Sequence, residues 1–190
     1  MKTILSILFL AGLLIYVPKA AGQAFDQGTQ VIAVGVGIGS SLGSFNYSSQ
    51  IPAISLQYER GVWQAGDVGV ISLGGYAGYK GFSYKTSSGN FEATSKWNYT
   101  ILGLRSAFHY QGIENDRLDL FGGLMFSYNI LNYSYEDNTG SSAVSSGNFG
   151  SSAGMTIYVG GRYYFMENVA AFAELGYGVS YLNLGLAFRL

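Results

Sequence analysis

The pattern that most restricts this chain is its end: from Tyr181 to Leu190 it reads Tyr-Leu-Asn-Leu-Gly-Leu-Ala-Phe-Arg-Leu. Leu182, Leu184, Leu186, Phe188 and Leu190 share one face, and Asn183, Gly185, Ala187 and Arg189 share the other, which is the period of two of a β-strand. A half-buried strand in a soluble sheet alternates in the same way. Ten residues with every large apolar side chain on one side also match the roughly 9 to 11 that a tilted strand needs to cross a bilayer. A spanning strand cannot stand alone, because without water its backbone groups are satisfied only in a closed sheet. The expected fold class is therefore all-β, a transmembrane eight-stranded antiparallel up-and-down β-barrel, with the last strand pairing with the first.

Seven further alternating stretches precede the closing one. The outward-facing sets are Ile32, Val34, Val36 and Ile38 in 29–38; Ile54, Leu56 and Tyr58 in 51–60; and Ile71, Leu73, Ala77 and Tyr79 in 68–82. They continue with Leu102, Leu104, Phe108 and Tyr110 in 98–111, then Leu120, Leu124, Phe126, Tyr128 and Ile130 from 118 onward. Met155, Ile157, Val159 and Tyr163 follow in 153–165, and Ala171, Ala173, Leu175 and Tyr177 in 169–179. Short connections at 61–67, 112–117 and 166–168 alternate with long Ser-, Gly- and Asn-rich ones at 39–50, 83–96 and 136–152, and the connection around Ser180 is nearly a tight turn. Short turns at one end and long loops at the other are the asymmetry of outer-membrane barrels, whose turns face the periplasm. Both termini are then expected in the periplasm.

Charge follows the same phase. No Lys, Arg, Asp or Glu falls on the outward phase at the strand centres, where one would cost about 2 to 4 kcal/mol at the bilayer midplane. The inward phase carries Glu59, Lys80, Arg105, Asp119, Arg162, Glu174 and Arg189. Of these, Glu59, Arg105, Asp119, Arg162, Glu174 and Arg189 are the expected ion pairs of a filled lumen, with Arg162, Glu174 and Arg189 as neighbours on consecutive strands. Bulky aromatics near strand ends, Tyr58, Trp63, Phe108, Tyr110, Tyr163, Phe165 and Phe188, suit interfacial girdles. Only 11% of residues are charged, against the roughly 25% of a soluble domain whose whole exterior meets water.

The N-terminal stretch has the anatomy of a secretory leader: basic Met1-Lys2, an apolar run from Ile4 to Val17, and small residues in Lys19-Ala20-Ala21-Gly22. A run of fourteen residues is too short for a spanning helix. The expected division is a signal peptide over 1–22 and a barrel over 23–190. Outside the leader eight basic residues face eleven acidic ones, so nothing points to nucleic acid. There is no cysteine, which excludes disulfides and a lipid-modified cysteine.

The terminal hairpin, Ala173-Glu-Leu-Gly-Tyr-Gly178 followed by Tyr181 to Leu190, resembles that of the eight-stranded outer-membrane β-barrel family, which includes OmpA-type and OmpX-type barrels. The resemblance covers strand pattern and termini across 23–190 and includes no catalytic motif. It implies outer-membrane lipids, lipopolysaccharide and the barrel-insertion machinery as partners, with Tyr181, Phe188 and Leu190 as the insertion signal. Family members usually finish on an aromatic residue. Here the last residue is Leu190, with Phe188 two positions earlier on the same face.

Other motifs carry less. Gly35-Val-Gly-Ile-Gly39 lacks the G-x-G-x-x-G spacing and a following helix, so its glycines make room inside a narrow barrel instead of holding a nucleotide. His109 is the single histidine, expected inward near the short turn as a hydrogen-bonded interior group. Glu136 and Asp137 sit in a loop, and no ligand set for a metal or cofactor emerges. The sequons at Asn46, Asn98 and Asn132 are Ser- and Tyr-rich loop edges. The function read from the chain is a non-catalytic outer-membrane barrel with a plugged lumen and interacting loops whose ligand is unspecified. Its rivals are a narrow pore or hydrophobic-ligand conduit, a lipid-modifying enzyme and a soluble lipocalin-like carrier.

Overall fold

The computed structural model describes residues 23–42, 47–113, 115–146 and 150–190. The expected leader 1–22, Asn46 of the first sequon, 43–46 of the first long loop and 147–149 of the third lie outside them.

Nine antiparallel strands are formed: β1 (Gln30–Ile38), β2 (Ser49–Gln64), β3 (Gly69–Ser88), β4 (Phe91–Tyr110), β5 (Leu118–Asp137), β6 (Ser142–Ser146), β7 (Ser152–Tyr164), β8 (Val169–Tyr177) and β9 (Leu182–Arg189). Neighbours in the chain pair throughout except β6 and β7, which both pair with β5, and β9 closes the ring on β1, with Val34 opposite Leu186 and Val36 opposite Leu184. β6 takes Asn132–Glu136 of β5 while β7 takes Leu118–Asn129, so the two lie end to end along one flank of β5. The wall therefore has eight strands, and the chain is a closed eight-stranded β-barrel.

The wall alternates as the sequence does. Leu104, Phe126 and Leu175 are 76%, 64% and 60% exposed, whereas Arg105, Met125 and Glu174 beside them are buried. On β5 the outward run from Leu120 to Ile130 covers about 33 Å of strand at roughly 3.3 Å per residue, or about 25 Å of height at a tilt near 40°. Trp63, Tyr110, Tyr163 and Phe165 ring the short-turn end, and Tyr79, Tyr128, Tyr177 and Tyr181 ring the other. An apolar band between two aromatic rings matches the thickness of a hydrocarbon core.

The long connections differ from expectation. The stretch 83–96 is not a loop: β3 and β4 run on in register to Ser88 and Phe91 and turn through Gly89 and Asn90 alone, with Gly89 at φ 60°, which glycine adopts without strain. Its Ser, Thr and Lys residues show no apolar alternation because much of both faces is exposed to solvent. In the 136–152 stretch, β6 folds back on β5, so part of it too is ordered sheet. On β2, Pro52 falls in a register shift between Ile51 and Ile54, where a missing N–H costs no ladder bond.

Candidate functional site

The lumen is filled in three layers. Toward the short-turn end lie Ala24, Phe25, Val31, Ala33, Val70, Tyr164, Ala170, Phe172 and Ala187, and toward the hairpin end a second apolar cluster is built from Tyr76, Phe82, Tyr99, Ile101, Phe121, Met125 and Tyr158. Glycines make the crossings possible. A Cβ at Gly35 would stand 2.9 Å from Phe172 Cζ, and one at Gly160 2.9 Å from both Glu174 Cγ and Phe121 Cζ.

Between the apolar layers sits the charge. Arg162 of β7 donates to Glu59 of β2 across the barrel, and its Nη1 reaches Asp119 Oδ2 on β5 at 3.2 Å. Arg105 of β4 donates from Nη2 to Glu174 Oε1 on β8 at 2.7 Å, and its Nε stands 3.9 Å from Glu59 Oε2, which joins the two groups. Gln57 and Asn183 donate to the other Glu174 oxygen at 3.4 and 3.2 Å. Tyr158 lies under the Arg105 guanidinium at 4.3 Å, and Phe121 under that of Arg162 at 4.6 Å. A guanidinium that leaves water keeps its stability through paired carboxylates and aromatic faces, and both are present.

Of the six lumen candidates, five meet in this network. Arg189 does not: it lies 4.0 Å over the Tyr164 ring, its Nε and Nη2 make no hydrogen bond, and it forms no ion pair with Glu59, Asp119 or Glu174. It sits at the end of β9, too near the mouth to reach the central carboxylates. Arg162 and Glu174 are not partners either. Their positions on adjacent strands are offset, with Gly160 opposite Glu174 and Arg162 opposite Phe172, while a narrow lumen lets each long side chain reach the far wall. Lys80, buried toward the hairpin end, donates to Gly39 O at 3.2 Å. Tyr181, Phe188 and Leu190 lie exposed on the outer face around β9.

His109 belongs to the same layer. Its Nδ1 is 2.8 Å from Asp119 Oδ1 and its Nε2 is 3.1 Å from Ser72 Oγ, an order of Ser, His and Asp on three adjacent strands that matches a hydrolase triad. Chemistry also needs access, and Ser72, His109 and Asp119 are all buried. Phe25 covers the imidazole, with ring centroids 3.6 Å apart and planes 9° from parallel. Glu59 Oε1 stands 3.8 Å from the same Nε2 that would take the serine proton. The trio reads as a tie between strands. Beyond the Arg105–Glu174 pair, a cavity of about 30 Å³ is lined by Tyr76, Thr156, Ser180 and Asn183, with room for a water or two.

Sequence reasoning missed Phe25, because a single aromatic residue before the first strand carries no period, and it missed Gln57 and Asn183, whose roles depend on which wall lies opposite. No group of three or more His, Cys, Asp or Glu suited to a metal occurs among the described residues.

No protein-family model and no curated protein matches the chain. Solved structures do resemble it. Ail, the attachment invasion locus protein of Yersinia pestis, in complex with the heparin analogue sucrose octasulfate, aligns at 14% identity and TM-score 0.49 over 87% of this chain and 100% of that one. The N-terminal β-barrel domain of Pseudomonas aeruginosa OprF aligns at 16% and 0.48 over 89% and 99%. Neisserial surface protein A aligns at 17% and 0.41 over 90% and 99%. The assignment of the fold rests on the hydrogen-bonded ring itself, which closes from β9 to β1 as an eight-stranded antiparallel barrel.

Proposed function

We propose that this chain is a small, non-catalytic integral protein of the bacterial outer membrane. Its lumen is shut by the charged layer, its short turns and termini face the periplasm, and its long hairpins form the interacting surface. One observation supports the reading above others: the molecule is inside out. Leu104 and its outward neighbours are exposed in a continuous apolar band, whereas Glu59, Arg105, Asp119, Arg162 and Glu174 are buried. Water penalises that distribution and a bilayer favours it. A soluble lipocalin-like carrier would need a polar exterior. Lipids and lipopolysaccharide are the partners that the band fits, and the barrel-insertion machinery would read Tyr181, Phe188 and Leu190.

Cell fractionation and gel mobility test the placement. The protein should stay with the outer membrane and migrate differently before and after heating, and Leu104→Arg should impair insertion by about 2 to 4 kcal/mol. Recovery in the soluble periplasm, or unaltered insertion of Leu104→Arg, would remove the reading. In planar bilayers the unmodified protein should show no ohmic conductance; a steady pore would favour the conduit. The Ser72, His109 and Asp119 geometry favours one second reading, an acyl hydrolase, and labelling of Ser72 by a fluorophosphonate in the folded protein would establish it. We expect no labelling, because the hydroxyl is buried.

A further inference from the structure

The segment before β1 does more than lead into the wall. It turns back into the short-turn mouth, where Ala24 and Phe25 are as buried as the core. Phe25 stacks on His109 and lies 5.9 Å from the Arg162 guanidinium. The Gln111 side-chain amide donates to Phe25 O at 2.9 Å and to Asp26 Oδ1 at 2.8 Å, so one group reads a main-chain carbonyl and the next residue's carboxylate together. The wall is shaped for this visitor: Gly61 pairs with it through Gly28 N to Gly61 O at 2.9 Å, and a Cβ at Gly61 would run into Asp26 O. Gly61 also marks a register shift in β2, a place where a strand bends to make room.

We propose that the short-turn mouth is a peptide-binding socket for an aromatic residue followed by an acidic one, filled in cis by Phe25 and Asp26, so that residues 23–29 act as a detachable stopper over His109. The selectivity follows from the contacts. The flat imidazole and nearby guanidinium favour an aromatic ring, Gln111 favours a carbonyl and a carboxylate in sequence, and glycine at 61 admits the backbone. The inference deepens the reading of a closed lumen, and rests on it, by assigning closure of one end to a segment whose departure gives up its backbone bonds to Gly61 but leaves the β1–β2 and β1–β9 registers from Gln30 and Val31 onward intact.

His109 is the chain's single histidine and reports on the socket. Diethyl pyrocarbonate transfers an ethoxycarbonyl group to an accessible imidazole nitrogen, releasing ethanol and carbon dioxide, and peptide mass mapping locates the adduct. In the detergent-folded protein lacking the leader, His109 should resist. Phe25→Ala should raise its rate about tenfold or more, because modification no longer waits for local opening; Phe25→Trp should restore protection. A synthetic peptide of residues 23–29 added to Phe25→Ala should slow the reaction again, and the same peptide with Phe25→Ala should not. If Phe25→Ala does not fold, as judged by heat-modifiable mobility, Gln111→Ala takes its place, with the same rise in rate expected and no slowing by the added peptide, because the group that reads it is gone. Rapid modification of the unmodified folded protein, unchanged protection in the folded variant, or rescue by both peptides alike would overturn the socket. These readouts are separate from those for the barrel: loss of membrane fractionation or an ohmic pore would unseat the proposed function whatever happens at His109.

Discussion

Lys96 and Glu136 face each other at 3.9 Å on the hairpin extension, with side chains 48% and 66% exposed; Arg105 and Glu174 meet at 2.7 Å inside the barrel, with side chains 3% and 8% exposed. The chemistry is alike and the setting is opposite. Outside, water solvates each ion alone, salt screens the pair, and ordering two long side chains cancels much of the Coulomb gain. Inside, neither ion has water to return to, so the value of the contact lies in the penalty for losing it. The interior charges therefore tie β2, β4, β5, β7 and β8 together and specify which walls face each other, while the exterior ones meet water on the hairpins.

The largest contrast should come from Arg162→Ala, which leaves Glu59 and Asp119 buried together without their shared cation. A cost of about 3 to 5 kcal/mol is expected, read as a lowered urea midpoint of the folded barrel. A loss below 1 kcal/mol would mean that water reaches the layer. Next, a double-mutant cycle on Arg105→Ala and Glu174→Ala should show coupling of about 0.5 to 3 kcal/mol, because the pair is in direct contact. The same cycle on Arg162 and Glu174 should be closer to additive. Equal coupling in both cycles would point to one diffuse charge pool instead of two linked groups. Asn183→Ser should cost about 1 to 3 kcal/mol by removing a buried donor to Glu174. Lys96→Ala should stay within about 0.5 kcal/mol, as exposed pairs do.

The wall was legible because an apolar exterior on one side and a packed lumen on the other impose a period of two through the strands, and β9 shows it without interruption. The inward position of the charges was equally legible, since a bilayer forbids the alternative. Their partners were not. Arg162 and Glu174 are near in sequence and on adjacent strands, but the partner of each is set by the barrel's diameter and by the depth of strands far away in the chain. Arg189 shares their phase and misses their network because phase fixes a face and not a height. The hairpin extension is hidden in the sequence for a related reason: past the apolar band both faces of β3 and β4 are largely exposed, so the alternation fades while the ladder continues. Phe25 had no periodic neighbours to reveal it.

The smallest expected effect lies beside that extension, at the end of β5, where Asp137 closes the turn to β6. Its Oδ1 accepts from Thr139 Oγ1 at 2.7 Å, Thr139 N at 2.9 Å and Ser141 N at 3.0 Å, and Tyr135 donates to its Oδ2 at 3.2 Å. Donation by the Thr139 hydroxyl is the largest influence, and with the Ser141 and Thr139 amides and Tyr135 it outweighs the opposing desolvation and holds the carboxyl below its ordinary value of 3.8. A carboxyl depressed in the folded state stabilises the turn above its ordinary value, and that contribution disappears as pH falls through the lower folded value. The Thr139 and Ser141 amide resonances should therefore titrate together with a midpoint under 3.8 and shift toward those of an open turn, while β4 and the barrel strands remain unchanged. Asp137→Ala should place both amides in the open position at every pH. A midpoint at or above the ordinary value would show that the carboxylate is no better bound in the turn than in free chain. The ordered extension would then depend on its ladder to β6 alone, without help from the turn.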